Sequence, residues 1–296
     1  MGVASGTKGQ QGPDNTIGGN IGSDGRRYPS FTMGPAILFC PADRPDRYAK
    51  AAERADAVII DLEDAVAPGD KPAARQALVD TALDPARTII RVNPVGTEDF
   101  AADVEALRRT NYTTVMLAKA ENVEQVRRLS GYAVVALCET ALGVLNAPAL
   151  AAEENVVALM WGAEDLVVSL GGTSSRHGDG SYRDVALHAR SAVLLAAAAR
   201  SRAAIDSVYI DIPDTAGLAA ESRDAVASGF AAKASIHPAQ MEVIRDAYAP
   251  DPAAVERARA ILEAARTSSG VFSFDGQMVD EPLLRHARRL VARAGE

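Results

Sequence analysis

Short apolar runs alternate with longer amphipathic stretches along most of the chain. Eight runs have the composition of buried β-strands, and each carries a charged residue or a histidine at or just beyond its end. They are AILFC with Asp43, AVIID with Asp61, TIIRVN with Arg91, VMLAK with Lys119, VVALCE with Glu139, VVALMWGAED with Asp165, SVYID with Asp211 and FAAKASIHP with His237. Eight strand-then-helix units predict an α/β fold, a closed parallel (β/α)8 or TIM barrel. The carboxyl ends of its strands share one face, where such barrels carry their active sites.

The same pattern divides the chain into three parts. Residues 1–33 are rich in Gly, Ser, Asn and Asp and have little to bury, which predicts a disordered tail. The barrel is predicted over 34–249. Residues 250–296 exceed what one barrel needs, so we predict a helical extension that packs on a neighbouring protomer. The longest gap between strands contains GGTSSRHGDGSY, over 171–182, and its polar, glycine-rich composition predicts an active-site loop.

Composition narrows the class of protein. The length of 296 residues suits one barrel, and 5% aromatic content implies a core of Ala, Val, Leu and Ile. A net charge of −8 without a basic block argues against nucleic acid as a partner, although local cations could hold a small anion. No run is long enough to span a membrane, and the first residues lack a signal-peptide core. Two cysteines, Cys40 and Cys138, are few for a disulfide-stabilised protein, so we expect a cytoplasmic location.

Glu139 and Asp165 are candidate metal ligands. Both follow strongly apolar runs on successive predicted strands, and neighbouring strands lie about 4.8 Å apart. Two carboxylates at that spacing could share one cation, and Mg²⁺ prefers such oxygen ligands, with water and substrate completing its octahedron. The alternative is structural: either carboxylate could cap the following helix or pair with Lys119.

Arg91 is a candidate anion-binding residue, because a guanidinium at a barrel mouth can hold a carboxylate or an enolate. Its alternative role is an ion pair with Glu63 or Asp64, which we expect to fix Arg91 and the waters on the metal. Lys119 could form a Schiff base, as in a class I aldolase, although a metal site would make this redundant. His237 could present donors to a phosphate or adenine, or could be a buried structural histidine.

Seven motifs, taken in order, resemble a known family. They are FCPADRPDR, DLEDAVAPGDK, RVN, ETA followed by Gly143, WGAEDL, IHPAQ and F-x-GQMVD. Together they look like the citrate lyase β-subunit-like branch of the HpcH/HpaI aldolase superfamily, in its stand-alone mycobacterial-type form. The resemblance extends from about Ala36 to the C-terminus.

The resemblance implies a Mg²⁺-dependent C–C lyase acting on 3-hydroxyacyl-CoA thioesters, with an oxo acid as product. It implies that Glu139 and Asp165 hold the metal and that Arg91 binds the substrate and steadies the thioester enolate. It further implies a homotrimer in which Asp280 reaches a neighbouring site as acid or base. Further candidates for substrate or CoA binding are Arg44, Lys119, His237 and Gln240.

The acyl group remains open among malyl-, citramalyl-, citryl- and 3-hydroxy-3-methylglutaryl-CoA, with its pocket expected to be lined by loops such as 171–182. A second interpretation runs the site in reverse, condensing acetyl-CoA with glyoxylate and hydrolysing the thioester, as malate synthase does. Others are a non-autonomous β subunit of a citrate lyase complex, a non-catalytic CoA-binding subunit and a class II aldolase acting on free aldehydes.

Overall fold

Eight parallel strands close into a barrel in a computed structural model that describes residues 20–21, 25, 27–268 and 270–295. Each strand pairs with its neighbours in chain order, and the eighth closes on the first. The strands are β1 Ala36–Pro41, β2 Ala57–Asp61, β3 Thr88–Val92, β4 Thr114–Leu117, β5 Ala133–Cys138, β6 Val156–Trp161, β7 Ala203–Asp206 and β8 Ala232–Ser235. The predicted TIM barrel is confirmed.

Helices surround the barrel and join its strands. They are α1 Tyr48–Arg54, α2 Lys71–Asp80, α3 Glu98–Leu107, α4 Val123–Arg127, α5 Ala141–Ala152, α6 Ala163–Ser169, α7 Asp184–Ala199, α8 Thr215–Ser228 and α9 Gln240–Tyr248. Among the described residues, none of the helices has both the length and the apolar character needed to cross a membrane.

Two apolar layers follow from the alternation of side chains along each strand. One set fills the barrel interior and includes Ile59, Ile89, Val135 and Ile205. The other set points outward and packs against the helices. Two residues beyond an interior position, the side chain faces inward again at the barrel mouth. This places Asp61, Arg91 and Glu139 at the mouth, because they follow Ile59, Ile89 and Leu137 in that register.

The seventh strand lies earlier in the chain than predicted. The apolar pattern predicts a strand over SVYID, whereas β7 is Ala203–Asp206 and Asp211 is exposed beyond it. The run AAID supplies only four strand residues, so its apolar signal is weaker than that of SVYID. The following Ser207 still faces the mouth, in register with Ile205.

The predicted tail largely falls outside the described residues, which include only part of 1–33. Its last residues are packed: Tyr28 contacts Ala133 and Val157 at the amino ends of β5 and β6. Phe31 and Met33 pack against the barrel interior from the same side. Among the described residues, packing against the barrel therefore includes residues before the predicted boundary at residue 33.

The C-terminal residues form a small unit of their own. Helix α10 Pro252–Thr267 packs against α11 Glu281–Arg293, with a hairpin of β9 Phe272–Phe274 and β10 Gln277–Val279 between them. Ile261, Val279 and Leu284 belong to a core separate from that of the barrel. This unit is the predicted C-terminal extension.

Candidate active site

Arg91 lies at the floor of the barrel mouth and is 8% exposed. Its Nε and Nη2 donate to the two carboxylate oxygens of Asp61 at 2.7 and 2.5 Å, and its Nη1 lies 2.9 Å from Glu63 Oε2. Its guanidinium also stands 5.0 Å from the ring centroid of Phe39. Burial opposes the charge, but Asp61 outweighs it and raises the pKa of Arg91 above its ordinary value. The guanidinium is therefore a fixed, permanent cation.

Lys119 joins the acidic residues above Arg91. Its ammonium makes a short ion pair with Glu63 Oε1 and lies 3.2 Å from Asp64 and 3.6 Å from Asp165. Its backbone N–H donates to Glu139 at 3.1 Å, from a residue with a φ of +49°. Although burial opposes the charge, the bond to Glu63 outweighs it and raises the pKa of Lys119. A stably charged amine that is already ion-paired disfavours the Schiff-base alternative.

Glu139 and Asp165 form the other half of the site. Glu139 is 3% exposed, whereas the Asp165 side chain is 36% exposed at the rim. Burial, and then the nearby charge of Asp165, raise the pKa of Glu139 to about 8. Two carboxylates that repel each other in this way could share one cation.

Close backbone approach sets the position of Glu139. A Cβ on Gly162 would lie 2.8 Å from Glu139 Cβ and 3.0 Å from its Oε2, so this side chain needs glycine opposite it. A Cβ on Gly143 would lie 2.5 Å from the carbonyl oxygen of Ala120. Thr140 caps α5 by accepting from the Gly143 N–H. The glycines of WGAEDL and ETA-x-G therefore let β5, β6 and α5 meet closely around the carboxylate.

A cavity of about 330 Å³ opens above these groups. Its floor is apolar, with Phe39, Leu137 and Met160, and Val208 and Ile236 stand on one wall. The acidic residues that line it are Asp61, Asp64, Glu139, Glu164 and Asp165, and Arg91 is its cation. Such a cavity suits a small organic anion with an apolar portion.

The donor set fits Mg²⁺. Among the described residues, no group of three or more His, Cys, Asp or Glu side chains is arranged to hold a metal. A pair of carboxylates would fill only part of the coordination shell of an ion and leave the remaining coordination positions to water and substrate. This matches the preference of Mg²⁺ for oxygen ligands and for retaining several of its waters. Glu139 and Asp165 would hold the ion, whose positive charge would favour the ionised form of Glu139 against the burial that raises its pKa.

The remaining predicted residues fall at different distances from the cavity. Arg44 is half-buried and pairs with Asp46, whereas His237 is exposed, and its Nδ1 accepts from the Ala239 N–H. Gln240 is 1% exposed, and its amide joins Ser235 to the carbonyl oxygen of Tyr209. The structure therefore favours a bracing role for Gln240.

Asp280 lies outside the cavity of its own chain. It caps the N-terminus of α11, where its carboxylate accepts from the Leu283 N–H at 3.1 Å. It lines a separate open groove with Met278, Pro282 and His286. A role at a barrel site thus requires the site of another protomer.

Sequence reasoning missed several supporting residues. Glu63 pairs with Arg91 as expected, with Nη1 2.9 Å from Oε2, but the bidentate partner of Arg91 is Asp61, and Asp64 pairs with Lys119. Period-two alternation from Ile59 could have identified Asp61. The buried Lys71 ammonium donates to the carbonyl oxygens of Leu62 and Glu63, and so steadies this acidic loop.

Asn93 of the RVN motif also has a supporting role. Its side chain accepts from Lys71 at 2.6 Å and donates to Asp103 and to the Leu62 carbonyl oxygen. The predicted contribution of loop 171–182 to the pocket wall is wrong for the chain itself, because none of its residues lines the cavity.

The chain is similar to several known proteins. The family model HpcH/HpaI aldolase/citrate lyase matches residues 36–133 and 130–238. The citrate lyase subunit beta-like protein of Mycobacterium tuberculosis (strain H37Rv) is 56% identical over 263 residues, covering 89% of this chain and 96% of that one. The mitochondrial citramalyl-CoA lyase of Homo sapiens is 32% identical over 293 residues, covering 88% and 85%.

A solved structure is similar as well. The crystal structure of CitE from Mycobacterium tuberculosis in complex with magnesium, acetoacetate and coenzyme A gives a TM-score of 0.86 at 55% identity. The match covers 90% of this chain and 99% of that one.

Proposed function

The chain belongs to the HpcH/HpaI aldolase/citrate lyase family, and from this we propose that it is a Mg²⁺-dependent acyl-CoA lyase. The reaction cleaves a C–C bond of a 3-hydroxyacyl-CoA thioester to give an acyl-CoA and an oxo acid. The observation that carries the proposal is that the buried Glu139, whose pKa is raised, lies beside Asp165 in the cavity that Arg91 also lines. The names of the human relative and of the CitE complex, with its magnesium, oxo acid and CoA, support the same chemistry.

Arg91 binds and orients the acyl portion. Asp61 takes two of the five N–H donors of the guanidinium, so donors remain for a substrate oxygen. Because Asp61 and Glu63 fix the group in place, it meets developing enolate charge without reorganising. The apolar floor of Phe39, Leu137 and Met160 excludes water from the same region.

Glu139 and Asp165 would hold Mg²⁺, which when bound supplies a Lewis acid for the oxygen that becomes the carbonyl. Lys119 keeps Glu63 and Asp64 in place beside that site through its ion pairs. Arg44, Lys119 and His237 remain proposed contacts for the CoA portion. A cytoplasmic location also remains a proposal, and the two cysteines are free and buried.

Asp280 is proposed to act as acid or base in a neighbouring protomer's site within a homotrimer. Its position outside its own cavity supports this. Exposed apolar side chains near the mouth and on the C-terminal extension also support it. Leu145 and Val168 near the mouth are 75% and 76% exposed, and Met278 on the extension is 68% exposed. If the extension of one protomer docked on the mouth of its neighbour, these apolar side chains would be covered and Asp280 would come close to the neighbour's cavity.

Acetyl-CoA release from malyl-, citramalyl-, citryl- and 3-hydroxy-3-methylglutaryl-CoA, with Mg²⁺ and with EDTA, tests the lyase. We expect metal-dependent cleavage of at least one of them, and a loss of about 10³-fold in kcat/KM for Glu139→Gln. Asp211→Asn is the matched control, because this carboxylate fits the same sequence pattern but is exposed and does not line the cavity. Full Mg²⁺-dependent activity of Glu139→Gln would refute the site.

Mixing two inactive variants tests the shared site. If Asp280 serves a neighbour, co-refolded Glu139→Gln and Asp280→Asn chains form some sites with both native residues, and activity returns. Each variant alone stays inactive. No recovery from a mixed oligomer, demonstrated by differential tagging, would show that Asp280 does not act across an interface.

A further inference from the structure

The 171–182 loop, between α6 and α7, is held by one arginine. The Arg176 guanidinium lies 3.7 Å from the ring centroid of Tyr182 and 4.9 Å from that of Tyr209. Its Nη2 pairs with Glu221 on α8 at 2.7 Å, and its Nη1 donates to the Gly180 carbonyl oxygen at 2.9 Å. A planar guanidinium can stack and donate in this way at once, whereas an ammonium cannot.

The first ring ties the loop to the barrel. Tyr182 packs edge-on against Trp161, the last residue of β6, with ring centroids 5.2 Å apart. Its hydroxyl also donates to Glu221 at 3.2 Å. Glu221 accepts from the fully buried Lys233 of β8, so the loop is anchored to the rigid strands.

The second ring belongs to the segment after β7. Tyr209 directly follows Ser207 and Val208, which both line the cavity. Its carbonyl oxygen accepts from Gln240 and its hydroxyl donates to Asp214, so the ring has a defined place. Arg176 therefore contacts one ring from the segment after β6 and one ring from the segment after β7.

The loop reaches the site through the residue before Arg176. Ser175 is 2% exposed and donates through its hydroxyl to Glu164 at 2.7 Å. Glu164 lines the cavity beside Asp165. Ser207 in turn accepts from the Ala163 N–H at 3.3 Å, which links the two cavity walls.

We propose that Arg176 is a positioning residue for the acyl site: by clamping the 171–182 loop to the Tyr209 segment, it fixes Glu164 and Val208 on adjoining walls of the cavity. The inference rests on the proposed lyase function but uses none of its metal ligands. Substrate-binding groups that are displaced by a fraction of an ångström bind more weakly, although the metal pair and Arg91 stay on their strands.

The test compares Arg176→Ala, Arg176→Lys and Arg183→Ala in the full-length protein. Arg183 is the matched control: it lies next to the same loop, is exposed and donates to the Ser174 carbonyl oxygen. For Arg176→Ala we expect KM for the cleaved acyl-CoA to rise about 10-fold, with kcat within about 3-fold. Arg176→Lys should recover only part of this loss, and Arg183→Ala should match the wild type.

The opening left by Arg176→Ala provides a rescue experiment. Free guanidinium at low, non-denaturing concentration should lower its KM toward the wild-type value, while NaCl at equal ionic strength should not. Trp161 is the only tryptophan of the chain and packs against Tyr182, so it reports on the loop without substrate. Acrylamide should quench its fluorescence more in Arg176→Ala than in the wild type or Arg183→Ala.

A purely structural role gives different results. If Arg176→Ala lowered kcat in proportion to its folded fraction and left KM unchanged, or if Arg176→Lys behaved as wild type, the proposal would be overturned. A KM increase of equal size in Arg183→Ala would overturn it too. If the wild type cleaves no acyl-CoA, the lyase assignment fails, whereas unchanged Trp161 quenching in Arg176→Ala refutes the clamp itself.

Discussion

Two acidic clusters, each built around one buried carboxylate, stand at the ends of neighbouring strands, and they differ in how their charge is compensated. At β5 and β6, Glu139 faces the barrel interior with Asp165 beside it, and burial raises its pKa to about 8. At β7, Asp206 faces the helices and accepts from Trp161 at 2.7 Å, Arg190 at 3.0 Å and Lys233 at 2.9 Å. One cluster is open to a cation from solution, and the other already contains its cations.

The direction of the side chain decides between these outcomes. Asp206 follows the interior residue Ile205, so alternation turns it outward between the strands and the helices. Glu139 lies two residues beyond the interior Leu137, so it points into the mouth. An acidic residue at the end of an apolar strand is thus a candidate ligand only when it is in register with the interior.

Removing each carboxylate should affect stability to very different extents, and this is the largest expected difference. Asp206→Asn leaves the buried Lys233 and Arg190 with one less counter-charge, which should cost about 3–5 kcal/mol in the free energy of unfolding. Glu139→Gln removes an undercompensated buried charge, so in EDTA it should change stability by less than about 1 kcal/mol. Urea unfolding of both variants measures this.

The comparison fails if both variants are destabilised equally. Asp224→Asn serves as the control for Asp206→Asn, because Asp224 also pairs with Arg190, at 2.5 Å, but its side chain is 62% exposed. The free energy of unfolding that Asp224→Asn loses should be well under half of that lost by Asp206→Asn, as expected for an exposed ion pair.

Much of this arrangement could be predicted from the sequence, because the barrel depends on repeated local patterns. Each of seven strands was placed within a few residues by its apolar run, and Glu139, Asp165 and Arg91 follow from strand ends. β7 was misplaced because AAID is a short, weak run beside the stronger SVYID. The Asp206 cluster was missed with it.

Contacts between distant segments could not be predicted. Nothing in the order of residues shows that Arg176 stacks on Tyr209, or that Lys71 supports the loop of Glu63. These contacts depend on how the loops and helices cross in space. Local patterns therefore predicted which residues stand at the mouth but not what holds them there.

Gly162→Ala tests the Glu139 cluster alone, and we expect a smaller effect than that of Asp206→Asn. The added Cβ would lie within 3.0 Å of Glu139 and must displace it, so we expect Mg²⁺ affinity to fall about 10- to 100-fold. Gly178→Ala is the control, because a Cβ there meets nothing within 4 Å. Isothermal titration with Mg²⁺ measures both, and equal affinity in the two variants would show that Glu139 tolerates the displacement.

The smallest predicted effect is the acid dependence of the compensated cluster. Burial alone would raise the pKa of Asp206, but Lys233 and Arg190 outweigh it and lower the pKa below its ordinary value. The stabilisation is therefore complete above the unfolded-state pKa of about 3.9 and is lost as pH falls through the lower folded-state value. Each extra proton bound by the unfolded chain costs up to about 1.4 kcal/mol per pH unit in that range.

Asp206→Asn removes this titration, so its free energy of unfolding should fall less steeply than that of the wild type between about pH 5 and about pH 3. Urea unfolding at successive pH values measures the two slopes. Parallel slopes would mean that Asp206 takes up its proton alike in the folded and unfolded chain. Its bonds to Lys233 and Arg190 would then contribute no net preference for the charged form, and the contrast with Glu139 would disappear.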